Sequence, residues 1–251
     1  MSETGAAVRA RLEQYLEPFE FRGDLVAPAS LLRAYLSDAD VDYRFSGRAF
    51  DTYGACEAHP DVITASDLVA VTLLSMTLGS GRSAISPEAA ISLERHRAEL
   101  TGLLTRIDAS LELHELDEGR FEELLVGQSA PGRRLFDLLH EILRAAGDRR
   151  VVATHKLIAR KRPRLFPIQD SVAMGALKPY GNRRWWRPWW EALRGPDDSA
   201  EAADLVLRVK KTRDEVGATH LSVLRTFDIL IWMRHAGASS VPPSALRRAE
   251  R

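Results

Sequence analysis

The sequence predicts an all-α protein, a compact bundle of roughly ten helices, and three observations support that class. Apolar residues recur at helical spacing along nearly the whole 251-residue chain. The strict alternation of apolar and polar residues that marks a half-buried strand is essentially absent. Several of the apolar stretches are also preceded by residues that commonly start helices.

The first strong helix signal lies in ASDLVAVTLLSM, residues 65–76. Thr64 precedes it as an N-cap residue, and Asp67 stands at the third helical position, where an acid completes a capping box. The stretch is apolar nearly all round, which is typical of a helix in the middle of a core. We therefore expect this helix to be central to the fold.

Similar start and stop signals place the remaining helices. Ser86 and Pro87 predict the start of a helix that continues to about Ile107. Pro163 ends another, because the residue before a proline is biased away from the helical region. The other predicted helices span 117–126, 131–145, 151–161, 171–178, 198–216 and 218–235. We expect one domain over residues 1–236, undivided or made of two subdomains meeting near 127–132, and a flexible tail over 237–251.

Composition narrows the class of protein. The chain is 45% hydrophobic and 28% charged, as soluble globular proteins are, and its single cysteine, Cys56, excludes an intramolecular disulfide. His155, His220 and His235 show no metal-ligand spacing, so no metal or other cofactor is expected. The N-terminal stretch has no long apolar run, and no stretch approaches the roughly 20 apolar residues of a membrane span. We expect a cytoplasmic protein without a membrane partner; the oligomeric state stays open.

The net charge of zero hides a strong asymmetry. Residues 1–148 carry 14 Lys/Arg and 25 Asp/Glu, whereas residues 149–187 carry 11 Lys/Arg and one acid, Asp170. This basic island predicts an anionic partner, with DNA first in line. The alternative is that it docks on an acidic protein surface, either a partner's or the chain's own N-terminal part.

The stretch RKRPRLFPIQDS, residues 160–171, concentrates the candidate site residues. Asp170 precedes a predicted helix and can cap it, its carboxylate accepting free amides of the first turn. The same carboxylate could instead face a cleft, where nearby cations would keep it ionised for catalysis. On the preceding helix, Leu157 and Ile158 are expected to face inward and Arg160 outward. Lys156 is a second catalytic candidate, within reach of Asp170 or a phosphate, or else a surface lysine.

The segment ATHKLIARKRPRLFPIQDSVA, residues 153–173, resembles part of the helix-hairpin-helix DNA glycosylases. In that superfamily a helix is followed by a proline and an aspartate, and the aspartate caps the next helix. The resemblance implies that Asp170 helps to expel a damaged base extruded from the duplex. The longer pattern, with FSGRAFDTY at 45–53 and THLSVLRTFDILIWMRHA at 219–236, is similar to an uncharacterised bacterial family with no assigned function.

The chain departs from the glycosylase pattern at several positions. Residues 147–152, GDRRVV, stand where the glycine-containing hairpin grips DNA phosphates, which puts that mode of binding in doubt. Val151 or Val152 stands near the lysine of glycosylases that also cut the backbone, so no lyase activity is expected. A four-cysteine run for an iron–sulfur cluster is absent, and Val172 replaces the histidine that follows the aspartate in many relatives.

The second unusual stretch is GNRRWWRPWW, residues 181–190. Tryptophan and arginine together can stack bases and hold phosphates. Alternatively, Trp186, Trp189 and Trp190, spaced three and four apart, anchor a helix to the core, with Trp185 the exposed member. The full set of predicted DNA- or anion-binding residues is Arg160, Lys161, Arg162, Arg164, Arg183, Arg184, Trp185 and Arg187.

Three functions follow from these residues. The first is a DNA-binding protein resembling DNA glycosylases, in which base excision depends on Asp170. The second is a non-catalytic interaction module that uses the basic island to dock on acidic protein. The third is an enzyme whose small anionic substrate is bound by Arg160, Lys161 and Arg164.

Overall fold

The protein's structure is a computed structural model that describes residues 1–37, 45–55, 59–74, 87–144, 150–178, 186–195, 200–241 and 246, without the side chains of 200–203. The helices are α1 Glu3–Tyr15, α2 Pro28–Leu36, α3 Ala65–Leu73, α4 Pro87–Arg95, α5 Arg97–Leu104, α6 Glu118–Phe121, α7 Pro131–Ile142, α8 Arg150–Lys161, α9 Ser171–Leu177, α10 Trp186–Arg194, α11 Ala200–Asp214 and α12 Val223–Trp232. The all-α class is confirmed.

One short β-hairpin interrupts the helices and was not predicted. Strand β1, Phe19–Phe21, pairs antiparallel with β2, Asp24–Val26. The two turn residues, Arg22 and Gly23, have φ angles of 53° and 83°, the left-handed pair that a tight two-residue hairpin requires. Three-residue strands are too short to display a period of two, which is why the alternation test missed them.

The chain divides into two compact units. The central unit is residues 46–169, and the terminal unit combines residues 1–45 with residues 170–251. The predicted junction at 127–132 lies inside the central unit, between α6 and α7. The single domain over 1–236 stays a prediction. No described helix is both long and apolar enough to cross a membrane.

The central unit is built on α8. Helices α3 and α7 both pack against α8, and α5 packs against α7. Gly132 opens α7 at a close approach, since a Cβ there would lie 2.9 Å from the Leu124 carbonyl oxygen and 3.1 Å from Phe166 Cζ. The core side chains of these helices include Leu68, Val71, Leu103, Leu104, Leu135, Leu139, Leu157 and Ile158.

The terminal unit joins the two ends of the described chain. Helix α1 packs against α10, and α12 packs against α2, α9 and α11. Trp186, Trp189 and Trp190 of α10 are all buried, and the Trp189 ring lies 6.0 Å from that of Phe227 on α12. The prediction that at least two of these tryptophans are core residues is confirmed.

Three predicted helices differ from the structure. The helix predicted over 117–126 is α-helical only in α6 and continues as a π-helical turn over Glu122–Val126. The helix predicted from Pro87 to about Ile107 breaks at His96, whose ψ of 9° leaves the helical region and whose Nδ1 lies 2.8 Å from the Ser92 carbonyl oxygen. The helix predicted over 218–235 begins only at Val223, because Ser222 caps it by accepting the Arg225 amide at 3.0 Å. Beyond α12, residues 233–237 form a π-helical turn, and Ala238, Val241 and Leu246 are buried.

Candidate functional site

Arg162 is the most deeply engaged of the predicted binding residues. The residue is 1% exposed, and all five of its side-chain N–H donors have acceptors. Those acceptors are the carbonyl oxygens of Pro60, Leu104, Ile107 and Lys161 and the carboxylate of Asp61. The Leu104 and Ile107 carbonyls stand at and just beyond the C-terminal end of α5, the negative end of a helix dipole. Arg162 therefore joins α5 to the loop before α3.

Arg160 and Lys161 meet on one carboxylate, Asp67 of α3. Arg160 Nε lies 3.3 Å from Asp67 Oδ1, and Lys161 Nζ lies 2.9 Å from Oδ2. Oδ2 also accepts the Thr64 amide at 2.9 Å, so the predicted capping box is present. Burial lowers the pKa of Lys161, while the hydrogen bond and charge of Asp67 act in the opposite direction. Asp67 thus starts α3 and neutralises the end of α8.

Arg160 and Lys161 also bind the loop that precedes α3. Arg160 donates to the carbonyl oxygens of Phe50 and Tyr53, both at 2.5 Å, and Lys161 donates to that of His59 at 2.7 Å. The Arg160 side chain is only 8% exposed, so the prediction that it faces outward is wrong. A helical wheel misplaced it because its long stem carries the guanidinium back over the loop.

Lys156 is buried within the central unit. It is 4% exposed, and its Nζ donates to the Leu74 carbonyl oxygen at 2.9 Å. The alternative of a surface lysine is therefore wrong. This contact places the Lys156 ammonium at the C-terminal end of α3. There it donates to one of the carbonyl oxygens that a helix leaves without an intrahelical donor at its end.

Arg164 is the exposed member of the basic run, which consists of Arg160, Lys161, Arg162 and Arg164. Its side chain is 50% exposed and pairs with Glu112, the Nη1 to Oε1 distance being 2.8 Å. Its carbonyl oxygen accepts the Leu113 amide at 2.9 Å, and its neighbours Leu165 and Phe166 are buried as predicted. Half of the Arg164 side chain is therefore open to an external anion, whereas Arg160, Lys161 and Arg162 are committed to buried contacts.

Asp170 is the N-cap of α9. Its backbone is extended, and its Oδ1 accepts the Ala173 amide at 2.9 Å. The residue is half-buried. The capping role predicted from the sequence is confirmed, and the order helix, proline, aspartate, helix is present from α8 through Pro167 to α9.

The arginine–tryptophan stretch is described only in part. Arg183, Arg184 and Trp185 lie outside the described residues. Arg187 is half-buried, and its guanidinium stacks 5.6 Å from the centre of the Trp190 ring. Such stacking orients an arginine while leaving its N–H edge available to a phosphate.

The predicted site residues thus separate into two groups. Lys156, Arg160, Lys161 and Arg162 hold the central unit together, and phosphate binding by the last three would break buried ion pairs. Asp170, Arg164 and Arg187 retain accessible polar edges. Sequence reasoning missed Asp61 and Asp67 as partners; the signal for them was the acidic excess of residues 1–148 beside the basic island.

Comparison with known proteins gives a family and no activity. A family model described as "Family of unknown function (DUF6308)" matches residues 28–235. No curated protein and no solved structure matches the chain. Among the described residues, no group of three His, Cys, Asp or Glu side chains could hold a metal ion.

Proposed function

The chain belongs to DUF6308, a family of unknown function, and we propose that it binds DNA as a glycosylase-like protein with Asp170 as its functional carboxylate. The observation that carries this proposal is the cap at Asp170. The carboxylate starts α9 directly after α8 and Pro167, the local order of the helix-hairpin-helix DNA glycosylases that residues 153–173 resemble. A helix cap fixes the position of a carboxylate by its bonds to the amides of the first turn.

The buried cations of the basic run serve the central unit itself. Arg160, Lys161 and Arg162 fasten the end of α8 through buried hydrogen bonds, and Leu165, Phe166 and Ile168 are buried after it. Releasing those bonds to bind phosphate would cost stability. The proposed phosphate contacts therefore fall to more accessible cations.

Asp170 would act on a base that has left the duplex. Expulsion of a damaged base leaves positive charge on the sugar, and a fixed carboxylate stabilises that charge as it develops. Val151 and Val152 offer no amine for cleavage of the backbone, and Lys156 binds the Leu74 carbonyl oxygen. The expected chemistry is base release by hydrolysis, without lyase activity.

The DNA contacts would come from the accessible arginines. Arg187, on the terminal unit that also carries Asp170, is one described candidate, and Arg164 is a separate candidate on the central unit. Arg183, Arg184 and Trp185 belong to the same proposal, since arginine beside tryptophan can hold a phosphate and stack a base.

Duplex DNA is expected to bind with an affinity that falls steeply with salt, because cationic contacts release counterions. Arg164→Gln and Arg187→Gln should each reduce the slope of log affinity against log salt by about 1. Fluorescence anisotropy with a labelled duplex at several salt concentrations measures this. Arg33→Gln, at an exposed position on α2, is the control and should leave the slope unchanged. Absence of binding at low salt would remove the proposal.

Asp170→Asn is expected to abolish release of damaged bases while leaving the fold intact. Asparagine caps helices about as well as aspartate, so the free energy of unfolding should change by less than about 1 kcal/mol. Base release from damaged duplexes and a denaturation curve are the two measurements. Asp117→Asn is the matched control, since Asp117 caps α6 by accepting the Arg120 amide at 2.7 Å. If both variants release damaged bases equally well, the only role of Asp170 is to cap α9.

A second function is favoured by the ion pairs themselves. Asp61, Asp67 and Glu112 neutralise cations of the basic run within the same chain, as the interaction-module hypothesis allows. On that account the run is structural, and the chain is a non-catalytic binding module. The two proposals differ in one measurement, since the module would show no salt-dependent affinity for DNA.

A further inference from the structure

A second polar cluster lies in the terminal unit, where the end of α1 meets the turn after α12. Tyr15 Oη and His235 Nε2 are 2.5 Å apart, although 220 residues separate them in the chain. Tyr15 is buried and His235 is exposed. The hydroxyl of the buried Tyr15 thus contacts the ring of His235, which is exposed to solvent.

The backbone at His235 is specialised for this contact. Residues 233–237 form a π-helical turn directly after α12, and π-helical turns occur frequently at functional sites. The turn closes on Gly237, where a Cβ would lie 2.4 Å from Trp232 Cζ3 and 2.6 Å from Met233 Sδ. Only glycine fits there without displacing both side chains, so the position of His235 depends on it.

Two arginines lie near Tyr15, and one of them, Arg234, also acts on His235. The Arg234 guanidinium lies 4.6 Å from the centre of the Phe19 ring and 5.5 Å from that of Tyr15, and it donates to the Gln14 carbonyl oxygen. Arg11 donates to the Leu177 carbonyl oxygen. Burial raises the pKa of Tyr15, and the charges of Arg234 and Arg11 oppose that change. Each guanidinium keeps further N–H donors beyond these bonds.

The acids on either side of Tyr15 in the chain are directed elsewhere. Glu13 pairs with Arg9, with 3.0 Å between Oε1 and Nε, and Glu17 pairs with Arg208. Neither carboxylate is thus committed to Arg11 or Arg234. The cluster therefore carries a positive potential that a negative ligand would satisfy.

The donors of the cluster suit an oxyanion. Burial and the charge of Arg234 lower the pKa of His235, so its ring is neutral near pH 7. The buried Tyr15 hydroxyl needs an acceptor, which Nε2 supplies, and the ring proton then lies on Nδ1. The exposed Nδ1–H and the Arg234 guanidinium then offer donors beside one another.

We propose that Tyr15, His235, Arg234 and Arg11 form a phosphate-binding site, with His235 and the two arginines as direct contacts and Tyr15 as the residue that positions His235. The phosphate belongs either to a nucleic-acid backbone or to a small phosphomonoester. The site rests on its own geometry and does not require the function of Asp170.

Titration of the full-length protein with inorganic phosphate, against sodium chloride at equal ionic strength, tests the site. NMR of the seven histidine rings should show one ring shifting, and that resonance should be missing in His235→Ala. Arg234→Gln and Arg11→Gln should each weaken phosphate binding by about tenfold, the value of one hydrogen bond to a charged group. Tyr15→Phe should weaken it too. Exposed Arg33→Gln and His220→Ala are the controls and should bind as the natural chain does.

The results of the phosphate titration either support the phosphate site or overturn it. No shift of His235, or equal weakening by Arg33→Gln, overturns the site. Where a variant binds poorly, its circular dichroism melting curve must match that of the natural chain for the loss to count as support. A nucleoside monophosphate and a duplex oligonucleotide then separate the two sources of phosphate. A His235 shift with inorganic phosphate but no duplex binding supports this site and removes the DNA function; duplex binding without any His235 shift does the reverse.

Discussion

Arg162→Leu is expected to lower the free energy of unfolding by about 2–6 kcal/mol, because two buried carbonyl oxygens lose their donor at about 1–3 kcal/mol each. The substitution removes five hydrogen bonds and leaves the Leu104 and Ile107 carbonyl oxygens without their donor. Leucine fills part of the volume but cannot satisfy those oxygens. Urea denaturation followed by circular dichroism measures the loss.

Arg120→Leu is the matched control for that variant. Arg120 is 45% exposed, and it pairs with Glu123, which is 66% exposed. Its replacement should cost between about 0 and 1 kcal/mol, as exposed ion pairs do. If the two variants unfold at the same urea concentration, Arg162 is not the joint between α5 and the loop before α3.

Asp67→Asn is expected to cost about 3–5 kcal/mol near pH 7, because it leaves two buried cations facing an amide. The lost partners are Arg160 and Lys161, whose donors lie 3.3 Å and 2.9 Å from the carboxylate. An asparagine has one acceptor oxygen where the carboxylate has two, so the cap on α3 and both cations cannot all be served. Urea denaturation at pH 7 measures the cost.

The pH dependence of the stability of Asp67→Asn tests whether the buried Lys161 ammonium causes the loss of stability. Burial places the folded-state pKa of Lys161 below its usual value of 10.5, so the unfolded chain binds more protons in the window just below that pH. The free energy of unfolding therefore rises with pH through that window. Asp67→Asn removes the two influences that raise this pKa, so the window should widen toward lower pH.

Lys161→Met in the Asp67→Asn background is the decisive comparison. Removing the uncompensated ammonium should recover part of the lost stability and abolish the added pH dependence. If the double variant is less stable than Asp67→Asn at every pH, the buried charge is not the source of the cost.

Local signals in the sequence were reliable wherever the contact is also local. The capping box of Thr64 and Asp67, the stop at Pro163 and the cap at Asp170 act within about four residues, and all three are present. The tryptophans of α10 were placed correctly because three large rings on one helical face have few alternatives to burial.

Contacts between distant residues could not be read from the sequence. Asp61 and Arg162 are 101 residues apart, and Asp67 and Arg160 are 93 apart. Neither segment contains a sequence signal that identifies its partner. A cationic run therefore has the same sequence pattern whether it binds DNA, a protein or its own chain. Tyr15 and His235 were missed for the same reason, since only the fold brings α1 and the π-helical turn together.

The chain path of the terminal unit has a consequence for its synthesis. Helix α1 bonds to α10, through Ser2 with Glu191 and Arg9 with the Ala192 carbonyl oxygen, contacts that span 189 and 183 residues. At about 5–20 residues per second a ribosome needs roughly 10–40 s between those two helices. All of residues 46–169 are made in that interval. The central unit can therefore acquire its buried ion pairs on the ribosome while α1 still awaits its partner.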